Sequence, residues 1–261
     1  MRYTHSKSFN RFLWGGKLTP MEYAMISFVI LISTIDMWSG APFCFQQTLL
    51  PCFLVSLALG DLNDGIIVAG YLTVAFMGIM QIGAAVPPDM ISSSILASTL
   101  AIEFNLPPEI AVAIGIPCSI VASYPVMAAQ NFDTRIVRAV ERRIKNRDLK
   151  ALSLLNAIGL LPWAFARIFI FTILYIALSM VFSQGLLEIF PYSLVYLSTA
   201  GRVLTTLSIA ILMNILWDKR SIVFYLMGFL VAISGIFNYL QICIFAILII
   251  AAIRIANEGG G

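Results

Sequence analysis

Apolar residues run along most of this chain, and the polar breaks between the runs are short. The first run, about Tyr23 to Trp38, predicts a helical span whose outer end carries Asp36 and an interfacial aromatic, Trp38. Leu49 to Gly60 has 12 residues and is opened by Pro51, so it predicts a re-entrant or tilted element. A polar turn, Asp61 to Asp64, leads into Gly65–Val86, 22 residues without a charge that read as one span. Its Gly65, Gly70, Gly78 and Gly83 form a small-residue surface suited to close helix packing or to backbone bending around a solute. Pro87-Pro88-Asp89 ends this helix, and a second short piece follows, Ile91 to Ile102.

Glu109 to Gln130 is long enough to span, and Pro117 and Pro125 are expected to kink or break it. Asp133 then reads as an N-cap of a basic segment, 133–150. There Ile136, Val140 and Ile144 make one apolar stripe, which suits a helix on the cytoplasmic membrane face; a solvated loop is the alternative. Leu152–Phe182 would span roughly 46 Å as a straight helix, more than the ~30 Å hydrocarbon core, and should break or tilt near Pro162. Val203–Trp217 and a basic corner, Asp218 to Arg220, precede Ser221–Ile253, read as two elements joined around Gly235 and Asn238.

Composition sharpens this picture. Of 261 residues 60% are hydrophobic and 11% charged, and the mean hydropathy is +0.95. These values exclude a soluble enzyme, a disordered chain and a nucleic-acid-binding module. They predict an all-α polytopic membrane protein with about six to nine transmembrane or re-entrant elements, several broken by Gly or Pro. The expected organisation is a basic cytoplasmic segment, 1–20, one membrane domain, 21–256, and a disordered tail, 257–261. The N-terminus does not read as a signal peptide.

Seven of the 16 basic residues lie in Arg135–Lys150, and Arg2, Lys7, Arg11 and Lys17 precede the first run. The positive-inside tendency places both segments in the cytoplasm. Cys44, Cys52, Cys118 and Cys243 form no CxxC pair and read as packing residues, and His5 is the single histidine. No metal site and no cofactor are expected.

Gly60–Asp89 carries the candidate chemistry. Broken helices at membrane depth are tolerated where they line a cavity, and transporter sites are built from them. Thr73 and Gln81 share a face if the helix continues. With Asp89 they offer amide, hydroxyl and carboxylate groups to a neutral polar solute such as a sugar. Each also has a bland reading: Thr73 bonding its own backbone, Gln81 as helix–helix glue, Asp89 as a cap or turn residue. Asp36, Glu103 and Glu109 read as interfacial, Asn214 and Asn238 as packing. Arg167 and Arg202 fall in or beside apolar runs, where snorkelling or pairing competes with a functional role.

Leu59-Gly60-Asp61, the spaced glycines and Ile82-Gly83-Ala84-Ala85-Val86-Pro87-Pro88-Asp89 closely resemble the membrane subunit IIC of the mannose/sorbose-type sugar phosphotransferase system. Looser likeness extends from Met21 to Ile255, including Ala200-Gly201, Met213-Asn214 and Phe224 to Phe229. The resemblance implies a bacterial cytoplasmic-membrane permease that moves a hexose or amino-hexose. It also implies a IID membrane partner, a cytoplasmic IIAB protein that phosphorylates the sugar, and a higher-order hetero-oligomer. Thr73, Gln81 and Asp89 would bind the sugar, with Gly70, Gly78, Gly83 and Pro87 shaping the backbone. With one histidine outside any motif, the chain is expected to be no enzyme by itself and to carry no phosphoryl group. The chain departs from the family pattern at Thr73, where Glu is frequent, at Gln81, where Asn is, and at Gln47-Thr48, where an Arg-Pro pair is. Two rival readings follow: a non-transporting or regulatory IIC-like partner, and an ion-driven transporter using Asp89, Asp36 and Arg167.

Overall fold

The computed structural model describes residues 18–38, 47–79, 87–145, 158–183, 192–217, 222–235 and 237–258. These residues form helices only: α1 (Pro20–Trp38), α2 (Leu49–Leu59), α3 (Leu62–Phe76), α4 (Met90–Phe104), α5 (Pro108–Lys145), α6 (Leu161–Ser183), α7 (Ser193–Ile215), α8 (Ile222–Ile233) and α9 (Tyr239–Glu258). The chain divides into two compact units, Met1–Leu212 and Met213–Gly261. Among the described residues four helices, α1, α5, α6 and α7, are long and apolar enough to cross a membrane.

In the first unit α4 is enclosed, while α2 and α3 each keep an exposed face. α2 and α3 form a hairpin that follows from Leu-Gly-Asp. Gly60 sits at φ 80°, the left-handed region open to glycine, and its amide closes α2 onto the Ser56 carbonyl at 2.9 Å. Asp61 then caps α3 by accepting from the Asp64 amide at 3.3 Å. α4 is buried along every residue from Ile91 to Glu103. Its five hydroxyl residues pack closely because they are small, and each finds an acceptor. Ser94, Ser98 and Thr99 bond their own helix, Ser92 bonds Asp89, and Ser93 donates to the Gly115 carbonyl of α5 at 2.8 Å. Ile95, Leu100 and Ile30 meet Ile110 and Phe171 in the apolar centre.

Several elements differ from the sequence expectation. The uncharged stretch from Gly65 is not one span: α3 stops at Phe76. The amides of Met77 and Ile79 turn back to Val74 and Phe76, and that of Gly78 is taken by the Ser208 hydroxyl at 2.8 Å. Conversely, α5 runs through both Pro117 and Pro125 for 38 residues, roughly 57 Å. This stretch of α5 is tied to the start of α4: the Gly115 carbonyl accepts from Ser93 at 2.8 Å and the Ser119 carbonyl from the Asp89 amide at 3.1 Å. The same helix passes through Asp133, which therefore caps no helix start; it accepts from the Trp163 indole at 2.7 Å. The basic segment is the continuation of α5 as far as Lys145, and 146–150 lie outside the described residues. A turn at Leu160 precedes α6, so the long apolar run does break beside Pro162. α7 begins ten residues before Val203, α8 and α9 part around Gly235, and residues 257–258 still belong to α9.

The ends of the bundle are set by polar contacts. The Leu18 amide donates to the Tyr175 hydroxyl at 3.1 Å, and Tyr175 donates to Glu103 at 2.8 Å. The start of α1 therefore lies beside the end of α4, where α5 begins. Asp133 and Trp163 mark the other end of α5. Pro20 and Lys145 thus stand at opposite ends of the bundle; the basic residues before Leu18, expected on the same side as the basic end of α5, lie outside the described residues. Glu103 and Asp36, read as interfacial, are also buried, each at 4% exposure.

Candidate functional site

The inner ends of the three short helices meet around one cavity of about 500 Å³. Thr48 precedes α2, Phe76 ends α3 and Asp89 precedes α4, and all three line it. Ser123, Val126, Met127 and Gln130 of α5 and Trp163 and Arg167 of α6 close its other walls. Its depth follows from one bond. The Asp89 amide reaches the Ser119 carbonyl, eleven residues beyond Pro108 and so roughly 16 Å into α5. α4 is too short to cross, and its N-terminus, with the positive end of its dipole, stops in the interior at the cavity wall.

Asp89 has extended backbone angles (φ −76°, ψ 94°) and accepts from the Ser93 amide at 3.2 Å. Its carboxylate is held by Arg167 in a fork: Nε to Oδ2 at 3.1 Å and Nη2 to Oδ1 at 3.0 Å, with the Ser92 hydroxyl also on Oδ2. The side chains are 1% and 7% exposed for Arg167 and Asp89. Nη1 donates to Thr34 of α1 at 3.1 Å, and the thioether of Met37 lies 3.4 Å from Nη2. Thr34 can accept because its own hydrogen goes to the Ile30 carbonyl at 2.7 Å. One cation thus ties α1, α4 and α6 together at the cavity. Among the described residues, Asp89 and Arg167 are the charged side chains that line it.

Thr73 also lines the cavity. Its hydroxyl donates to the Ala69 carbonyl at 2.7 Å, the back-bonding weighed above, and lies 2.7 Å from the Thr48 hydroxyl. With the Thr73 hydrogen used, Thr48 is the donor in that second bond. Both hydrogens are spent, and the pair keeps acceptor lone pairs only. Gln47 and Gln130 add exposed amides to the same lining.

Of the sequence candidates, the structure brings Thr73, Pro87 and Asp89 together at the cavity. Gly78 lies beside it, with no room for a side chain against the Ser208 backbone of α7. Gly70 is on an exposed face of α3 with open space around it, away from the cavity. Gln81 and Gly83 lie outside the described residues. Arg167 was weighed for pairing without a partner in view; its place in an apolar run was the available signal. Trp163 and Gln130 carried no signal of their own. Arg202, by contrast, makes an exposed pair with Glu109 at 3.3 Å.

Half-membrane helices around a polar cavity in an all-helical bundle define the class: a multi-pass membrane transport protein. The family model described as PTS system sorbose-specific IIC component matches residues 20–253, and the chain belongs to that family. The N-acetylgalactosamine permease IIC component 1 of Escherichia coli (strain K12) is 24% identical over 216 residues, 82% of this chain and 80% of that one. The PTS system mannose-specific EIIC component of the same strain is 29% identical over 199 residues, 75% and 74% of the two chains. The fold matches a solved chain titled "Structure of membrane protein" with a TM-score of 0.80 at 24% identity, over 92% of this chain and 97% of that one. A chain of the mannose transporter ManYZ in complex with microcin E492 matches with a TM-score of 0.57 at 24% identity, over 92% and 96%. The chain is accordingly a IIC transport component of a sugar phosphotransferase system, working with other subunits of that system.

Proposed function

We propose that the cavity at the inner ends of α2, α3 and α4 holds a hexose or amino-hexose while the chain carries it across the inner membrane of a bacterium. The observation that carries this reading is the cavity itself. It is interior, bounded by helix ends, and its charges cancel, so hydroxyl, amide and peptide groups are left to meet a solute rich in hydroxyls. Thr48 and Thr73 would accept hydroxyl hydrogens of the sugar; Gln47 and Gln130 would serve as both donor and acceptor. Asp89, its oxygens committed to Arg167 and Ser92, would shape and polarise the wall.

Orientation follows from charge. Five basic residues lie in Arg135–Lys145 at the far end of α5, which puts that end in the cytoplasm. Gln130 and Trp163 stand on that side of the cavity, toward a cytoplasmic IIAB protein that would phosphorylate the sugar on arrival. This chain would contribute no phosphoryl-carrying residue, and a IID subunit would complete the membrane complex.

The test is phosphoenolpyruvate-dependent uptake of labelled hexoses and amino-hexoses by cells carrying this chain with its IID and IIAB neighbours. The control lacks this chain alone. Uptake that requires the chain supports the reading and names the sugar. Its absence for every sugar, with the protein inserted, would favour a non-transporting partner, and uptake indifferent to phosphoenolpyruvate but collapsed by an ionophore would favour the ion-driven reading.

A further inference from the structure

We infer that the groove between the far end of α5 and the start of α6 binds one anionic phospholipid of the cytoplasmic leaflet. This is a second cavity, of about 420 Å³, separate from the one proposed to hold the sugar. Phe132, Arg135 and Ile136 of α5 face Leu161, Pro162 and Phe165 of α6 across it, and Arg135 is the charged side chain on its wall.

The depth of the groove suits a lipid. Phe132 stands 24 residues beyond Pro108, roughly 36 Å along α5, so α5 leaves the ~30 Å hydrocarbon core about here. Arg135 is therefore at headgroup level, on the side that the basic end of α5 places in the cytoplasm. α6 runs back inward from Leu161, so Phe165 carries the apolar wall about one turn deeper, where acyl chains lie. Both Leu161 and Phe165 are exposed.

Charge selects the headgroup. The guanidinium carbon of Arg135 lies 5.0 Å from the centre of the Phe132 ring, which covers one side of it. Among the described residues no carboxylate pairs with this arginine. Asp133, two residues before it, accepts from the Trp163 indole. Arg135–Lys145 hold five basic residues against one acidic, Glu141. A phosphodiester with no cation of its own meets this surface with opposite charge, whereas a choline headgroup brings a like charge. A soluble acidic protein would meet the arginines but could not reach the apolar wall below them. Trp163 and Arg167 lie within one turn of Pro162 and Phe165 on α6 and line the first cavity, so this lipid would pack behind the turn that carries them.

The experiment is equilibrium binding to the full chain purified with its membrane partner in neutral detergent. The probes are radiolabelled dioleoyl phosphatidylglycerol and dioleoyl phosphatidylcholine. Phosphatidylglycerol should saturate a site that Arg135→Gln weakens by about tenfold or more, the scale of a lost hydrogen bond to a charged group. Arg138→Gln, at an exposed arginine outside the groove lining, should weaken it less than about threefold. Phosphatidylcholine should bind about tenfold more weakly, and glycerophosphoglycerol, which has no acyl chain, should not compete. Equal losses in the two arginine variants would mean general attraction to a basic helix and overturn the inference. Equal binding of the two lipids, or full competition by glycerophosphoglycerol, also overturns it. Arg135-dependent binding that is present in this chain alone and lost in the complex would assign the groove to the partner subunit instead. The headgroup and acyl-chain comparisons need no variant, so they decide the matter even if Arg135→Gln fails to insert. None of these outcomes bears on sugar uptake, which tests the first cavity separately.

Discussion

Gly78→Ala is a demanding test of how α7 is seated. A Cβ at this position would overlap the carbonyl oxygen of Ser208, and that atom is backbone, so no side-chain rotation relieves it. Either α7 or the turn after α3 must move. Overpacking of this kind costs about 1–3 kcal/mol. The shift also breaks the bond from the Gly78 amide to the Ser208 hydroxyl, now 2.8 Å and buried. A buried amide left without a partner costs about 1–3 kcal/mol more. The sum, about 2–6 kcal/mol, converts at roughly 2–4 °C per kcal/mol into a fall in apparent Tm of about 5–20 °C for a chain of this size. The control is Gly70→Ala. A Cβ there meets open space in a helix, so that variant should hold its Tm or gain the ~0.5–1 kcal/mol by which alanine exceeds glycine in helices. Both variants are measured by thermal unfolding in one detergent at matched protein concentration. An equal loss in both, or none in Gly78→Ala, would refute the close approach of α7.

Other outcomes follow from the same contacts. Tyr175→Phe removes the bridge between the Leu18 amide and Glu103 and should lower stability by about 1–3 kcal/mol, read as a fall in Tm. Arg202→Ala breaks an ion pair whose arginine is 70% exposed, and should change Tm by less than a degree or two. Cysteines placed at Thr19 and Glu141, in a cysteine-free background, should react with an impermeant maleimide from opposite sides of the membrane; labelling from one side would contradict the placement of Pro20 and Lys145 at opposite ends.

How far the site was legible varies by residue. Asp89 stood out because it follows two prolines in an otherwise apolar region, and Thr73 because the family places Glu there. Neither signal revealed what these groups touch. Asp89 and Arg167 are 78 residues apart, and Thr48 and Thr73 are 25 apart, so no helical or strand period links them. Gly70 and Gly78 look equivalent in a glycine-rich string; contact with another helix separates them. Pro117 and Pro125, expected to kink or break their span, leave it unbroken: one helix runs through both.

Composition and run length by themselves determined that this is a helical, multi-pass membrane protein, because a bilayer demands long apolar segments with their backbone bonds satisfied internally. The polar turn at Asp61–Asp64 was legible as well; the left-handed Gly60 and the Asp61 cap that make it a hairpin came from the structure. Tertiary structure decided where the apolar stretch from Gly65 ends, which end of the bundle each terminus of α1 and α5 occupies, and which polar groups face each other. Those outcomes depend on neighbours supplied by distant helices: Ser208 for the Gly78 amide, Tyr175 for Glu103, and Arg167 for Asp89. A buried charge or amide is tolerated only where a partner stands, and the partner's place is set by packing that no local pattern records.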